Sequence, residues 1–224
     1  MPEVIFAGPA GRLEGRYQPP KEAGAPVALV LHPHPQFGGT MNNQACFDMY
    51  NMFISKGMGA LRFNFRGVGR SQGEFDQGIG ELSDAATALD WLQAMNPNAA
   101  NTWVAGFSFG AWVGMQLLMR RPEIIGFISA SIPANVYDFS FLAPCPSSGL
   151  VIHGGQDKVS PFEDTKRMVE RTRTQKGRVI DLELIEEADH FFANHLEVFM
   201  EKVEGYVDQR LAEQAATAEP EAAE

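Results

Sequence analysis

The chain has 224 residues, is 45% hydrophobic and carries a net charge of −10 with a pI near 5.0. That is enough apolar mass for one globular domain with a sizeable core, and the acidic balance argues against nucleic acid or an anionic membrane as partner, since both call for a basic face. No run approaches the ~18 apolar residues of a membrane span, the start has no basic region or long apolar run of a signal peptide, and two widely spaced cysteines, Cys46 and Cys145, read as reduced, packed thiols, so the expected compartment is the cytoplasm.

Residues 3–7 and 12–17 read as two strands joined by the turn Gly8-Pro9-Ala10-Gly11, a hairpin. Val27-Ala28-Leu29-Val30-Leu31 is a continuous apolar run, the mark of a strand buried on both faces. It ends in a loop, His32 to Gly39, whose prolines and glycines preclude regular structure. A helix is expected over 41–56, with Thr40 as N-cap and Gly57 as stop. A strand over 59–65 and a glycine-rich loop over 66–80 precede a second helix over 81–95, whose Leu82, Ala85, Ala86, Leu89 and Leu92 share one face. A short strand over 101–105 and a helix over 111–119 flank Gly106-Phe107-Ser108-Phe109-Gly110. Strands follow over 124–130, 149–153 and 178–185, with a Pro/Ser/Phe-rich connection over 131–148, a charged helix over 162–176 and an amphipathic helix over 194–211. The acidic, Ala/Glu-rich stretch 212–224 reads as a disordered tail after a domain spanning 1–211. A hairpin followed by alternating strands and helices implies an α/β three-layer sandwich with a mostly parallel eight-stranded sheet. In such sheets ligands bind beyond the carboxyl ends of the strands.

A serine between two glycines at a strand-to-helix junction is the nucleophile-elbow pattern. The tight turn thrusts the Ser108 hydroxyl outward, and the glycines let strand and helix approach without a Cβ between them. A helix N-terminus behind the serine offers an amide and a positive dipole end to a developing oxyanion. A serine hydroxyl needs an imidazole to take its proton, and the imidazole needs a carboxylate to fix its tautomer. Asp157 follows one later strand and His190 another, so Ser108, Asp157 and His190 occur in the chain order that this elbow architecture uses. Asp138 is the alternative acid and His195 the alternative base. His32 and His34 have an H-x-H spacing that can bind a metal, against which stands the simpler reading that one imidazole bonds loop backbone and shapes the pocket. Arg66 to Ser71 lacks the lysine and spacing of a phosphate loop and reads as a structural loop. Phe107, Phe109, Trp112, Phe139 and Phe141 either wall a pocket or belong to the core.

The chain resembles the α/β-hydrolase superfamily, in the small cap-less bacterial branch related to dienelactone-hydrolase-like and esterase-like proteins. The segments that carry the likeness are Leu31 to Pro35 with Phe37-Gly38-Gly39, Phe65 to Ser71, Gly106 to Gly110, His153 to Pro161, and Ala188 to Phe192. Dienelactone hydrolases proper use a cysteine nucleophile, where this chain has serine. Superfamily members often carry His-Gly after the third strand; here proline follows His32, and neither Pro33 nor Pro35 has an N–H to donate. The family pattern then points to the amides of His34 and Phe109 as the oxyanion hole, with Phe37, Gly38, Phe107 and Trp112 toward the substrate.

The resemblance implies a serine hydrolase of small soluble carboxylic esters or related acyl compounds, working through an acyl-enzyme with Ser108, His190 and Asp157. A thioesterase, an amidase or a small peptidase would use the same first step, and a catalytically weak binding protein on this fold is the alternative from another class. The connection 131–148 has only 18 residues, too few for a lid domain, so an open cleft and small substrates are expected. No cofactor and no metal are called for. The oligomeric state stays open, with a homodimer as the assembly to consider.

Overall fold

The computed structural model describes residues 2–142, 145–172 and 178–218. Eight strands form one sheet: β1 (Glu3–Gly8), β2 (Gly11–Gln18), β3 (Val27–Leu31), β4 (Gly59–Phe63), β5 (Thr102–Phe107), β6 (Ile124–Ala130), β7 (Ser148–Gly154) and β8 (Ile180–Ile185). Their order is β1-β2-β4-β3-β5-β6-β7-β8, with β2 antiparallel to both neighbours and every later pair parallel. The helices are α1 (Gln44–Ser55), α2 (Ile79–Met95), α3 (Phe109–Leu118), α4 (Phe162–Thr172) and α5 (Leu196–Ala218). This is the expected three-layer sandwich.

Two apolar layers hold the sheet. One gathers Leu29, Leu31, Leu61 and Val104 against α2, α3 and α4; the other gathers Val30, Trp103, Ala105 and Phe107 against α1 and α5. The alternation along β5, with Val104 to one layer and Trp103 to the other, is the period of two that a strand imposes. All five residues of β3 are buried, as its unbroken apolar run requires.

Several boundaries differ from expectation. Helix α1 starts at Gln44, because Asn43 caps it by accepting from the Cys46 amide at 3.3 Å, while Thr40 is spent closing the preceding turn. Helix α2 starts at Ile79, and the Glu81 carboxylate reaches back to the amides of Gly78 (2.7 Å) and Asp76 (2.9 Å). Helix α5 runs to Ala218, past the expected helix end at 211, and residues 219–224 lie outside the described ones. The expected end of the charged helix also falls outside them, at 173–177.

The loop after β4 is structural. Arg66 donates to Asp84 of α2 from its amide (3.0 Å), Nε (2.9 Å) and Nη2 (2.8 Å), a buried fork against a carboxylate. Register then aligns the carboxyl ends of the central strands: Leu31 pairs with Gly106, Phe107 with Ala130, and Ala130 with Ile152. His32, Ser108, Ser131 and His153 therefore emerge along one rim.

Candidate active site

Ser108 sits at the start of α3 with φ 53° and ψ −116°, a conformation that costs an L-residue energy and is held by its surroundings. The glycines on either side permit it. A Cβ on Gly106 would lie 2.4 Å from the Gly110 carbonyl oxygen, and one on Gly110 would lie 2.3 Å from the Leu31 oxygen. The Ser108 amide donates to Ala130 O at 2.8 Å, which pins the turn to β6.

The structure brings Ser108, His190 and Asp157 together. His190 Nε2 is 3.1 Å from Ser108 Oγ, and His190 Nδ1 is 2.7 Å from Asp157 Oδ2. A carboxylate accepts only, so Nδ1 carries the proton and Nε2 is left to accept from the serine hydroxyl. Burial pushes the Asp157 carboxyl up, but the hydrogen bonds from His190 and from the Ser160 and Val159 amides outweigh it and hold the group below the ordinary carboxylate range. Asp157 is thus ionised at neutral pH. His190 is placed from its backbone as well: Ser131 Oγ donates to its carbonyl at 2.8 Å.

The alternatives fall away from this cluster. Asp138 turns its carboxylate onto Ser140 of its own exposed loop, and His195 lies just before α5 with its amide bonded to Phe192 O.

Phe109 is the first residue of α3, so its N–H has no acceptor within the helix and stands at the positive dipole end. His34, between two prolines, packs its ring against Phe37, Phe75 and Phe109 at 4.6, 4.8 and 5.0 Å. Behind it, His32 is fully buried: Nδ1–H donates to Pro33 O at 2.7 Å and Nε2 accepts from the Phe65 amide at 3.0 Å. Burial lowers its pKa to about 4, so the ring is neutral. Both ring nitrogens are spent on backbone, and among the described residues no group of three His, Cys, Asp or Glu is placed to hold a metal.

A cleft of about 220 Å³ opens over Ser108 and His190 between His34, Phe37 and Gly38 on one side and Val159 and Phe191 on the other. Two of the expected substrate residues are elsewhere. Phe107 is fully buried beneath the site, with its ring 5.7 Å from that of His190 and stacked on Phe191. Trp112 stacks on Tyr137 at 4.2 Å and does not line the cleft. Conversely, Val159 and Phe191 line it, while Ser131 anchors the His190 carbonyl and His153 lies beside Asp157, away from the cleft. His153, four residues before Asp157 at the end of β7, is visible in the sequence; its direction is not.

Comparison with known proteins agrees with this architecture. Residues 12–148 match the model of the X-Pro dipeptidyl-peptidase (S15) family. A protein of unknown function from Agrobacterium tumefaciens, named as an α/β hydrolase, is 61% identical, with a TM-score of 0.93 over 94% of this chain and 97% of its own. An α/β serine hydrolase homologue from Coxiella burnetii is 32% identical (TM-score 0.82; 92% and 96% covered), and an α/β serine hydrolase without a lid from Xanthomonas campestris is 29% identical (TM-score 0.83; 93% and 94% covered). By sequence and by structure, this chain belongs to the S15 family, within the α/β serine hydrolases and in their small form that carries no lid.

Proposed function

We propose that the protein hydrolyses small, uncharged carboxylic esters through a covalent acyl-enzyme. The observation that carries this is the hydrogen-bonded chain Ser108–His190–Asp157, at 3.1 and 2.7 Å, on a helix N-terminus. Ser108 Oγ attacks the ester carbonyl as His190 Nε2 takes its proton. The imidazolium so formed is stabilised by Asp157 and returns the proton to the departing alkoxide; water then repeats the sequence on the acyl-serine. The Phe109 amide, with that of His34, faces the oxyanion.

The family model raises a second reading, a peptidase that removes N-terminal dipeptides. Such an enzyme must hold a free α-amine, which takes a carboxylate close to the nucleophile. Among the described residues that line the cleft there is none; around Ser108 and His190 its walls include His34, Phe37, Gly38, Asn43, Val159 and Phe191, none of them acidic. The volume, about 220 Å³, lies below that of sites for drug-sized ligands. Both features favour a small neutral ester. With both cysteines free and buried, the working compartment is taken to be the reducing cytoplasm.

A fluorophosphonate probe together with p-nitrophenyl butyrate and an X-Pro p-nitroanilide tests the reading. The expected result is labelling and butyrate hydrolysis by the wild type, neither by Ser108→Ala, and negligible anilide cleavage. Equal labelling of Ser108→Ala would sink the nucleophile, and faster anilide than ester turnover would establish the peptidase.

A further inference from the structure

We infer that His153 is a positioning residue for Asp157, locking the carboxylate that orients His190. The inference rests on the triad reading above. The Asp157 carboxylate has about four acceptor directions. Oδ1 takes the amides of Val159 and Ser160, each at 2.8 Å, and Oδ2 takes His190 Nδ1 at 2.7 Å. The remaining side of Oδ2 faces His153 Nε2 at 3.3 Å. His190 thus donates to Oδ2 from one side while the His153 ring edge packs against it from the other, and His153 has no contact with Ser108 or the cleft among the described residues.

The geometry also fixes which proton His153 presents. Its Nε2 lies 2.8 Å from Ser160 O, and a carbonyl can only accept, so Nε2 carries the hydrogen and turns the same edge toward Oδ2. Nδ1 is left as acceptor, 3.3 Å from the Thr165 hydroxyl. Phe162 packs on the ring at 5.9 Å, and the imidazole is wholly buried. His153 ties down the Asp157 loop through its hydrogen bond to Ser160 O, and the same ring edge packs 3.3 Å from the carboxylate as a contact, not a second hydrogen bond. Without it, the loop that carries Asp157 loses its tie at Ser160 O and the packing behind Oδ2, the carboxylate shifts relative to His190, and the imidazole loses the partner that fixes its tautomer.

The test compares His153→Leu, which keeps the volume and removes the N–H, with His153→Gln, whose amide nitrogen reaches the place of Nε2. Turnover of p-nitrophenyl butyrate is normalised to folded protein, and the low-field proton between His190 Nδ1 and Asp157 is followed by NMR. The inference expects kcat to fall about tenfold or more in His153→Leu at unchanged KM, with that resonance lost, and both to return in His153→Gln. Equal kcat per folded molecule in His153→Leu overturns it, as does equal loss in both variants with the resonance retained, which would mark His153 as fold support only. If the wild type itself neither labels nor turns over, the nucleophile reading fails, and the resonance, which needs no substrate, still decides the role of His153.

Discussion

Acid should destabilise this protein in a window set by His32. The ring is 0% exposed, and burial, its largest influence, lowers the pKa from 6.5 to about 4. The fold therefore holds the neutral form, while the unfolded chain takes up a proton below about 6.5. Between the two values the unfolded state binds more protons, so stability is lost as pH falls from about 6.5 to about 4 and changes no further below that. With those end points the loss from this one group is about 2 kcal/mol at pH 5 and about 3 kcal/mol at pH 4. The chemistry is local: protonation turns Nε2 from an acceptor into a donor facing the Phe65 amide, which unties the His32–Gly39 loop from the end of β4. Urea unfolding of wild type and His32→Gln at pH 7, 6 and 5 checks this. Other groups titrate in both proteins, so the difference isolates His32. Wild type should lose about 2 kcal/mol more than the variant between pH 7 and 5. Parallel losses would refute the assignment.

Three further outcomes follow from the site. Gly110→Ala drives a Cβ to 2.3 Å from Leu31 O and 2.6 Å from His32 O, backbone that cannot step aside, so it should cost at least about 1–3 kcal/mol in urea melts and lower butyrate hydrolysis with it. Asp157→Asn should leave the fold close to intact and reduce kcat by about 10³–10⁴-fold, read by initial rates on p-nitrophenyl butyrate, because an amide stabilises the wrong tautomer of His190. Phe37 is 86% exposed at the cleft mouth, so Phe37→Ala should change stability by less than about 0.5 kcal/mol yet raise KM for butyrate more than for acetate esters.

Strands β3 and β6 match the residues expected of them, because a strand buried on both faces is a continuous apolar run with sharp ends. Helix starts were less legible. Thr40 and Asn43 are both good caps three residues apart, and only tertiary contacts decide between them. Helix α5 outran its apolar stripe because the Ala/Glu-rich stretch beyond it has high helix propensity and meets no breaker before Pro220. Ser108, Asp157 and His190 were legible because each follows a strand on a separate loop, and parallel strands bring such loops to one rim. Phe107 could have been assigned from alternation, since it shares the face of Trp103 and Ala105 and so points into the layer of α1 and α5. Which way His153 and Trp112 turn depends on the packing of other elements, and no local pattern carries it.

The distribution of backbone strain separates what the fold needs from what the site needs. Among the described residues four non-glycine positions have positive φ, and three of them, Ser108, Ser131 and Phe192, lie in the loops around His190. Strain of this kind persists only where its surroundings over-determine it. At Ser131 the compensation is identifiable. With φ 49°, it is held by its amide on Ile152 O at 2.9 Å and by its hydroxyl on His190 O at 2.8 Å. Two substitutions separate these effects. Ser131→Ala removes the hydroxyl bond and keeps the strain; Ser131→Gly removes the same bond and relieves a left-handed penalty of about 1–2 kcal/mol. At most buried sites glycine is the costlier of the two, through the entropy of the unfolded chain, by about 0.4–1 kcal/mol. Here the order should invert, with Ser131→Gly the more stable by up to about 1 kcal/mol in urea melts, while both lower kcat because His190 has lost the same anchor. A Gly variant less stable than the Ala variant would mean that Ser131 stores no strain, and that the hydroxyl bond alone accounts for its place beside His190.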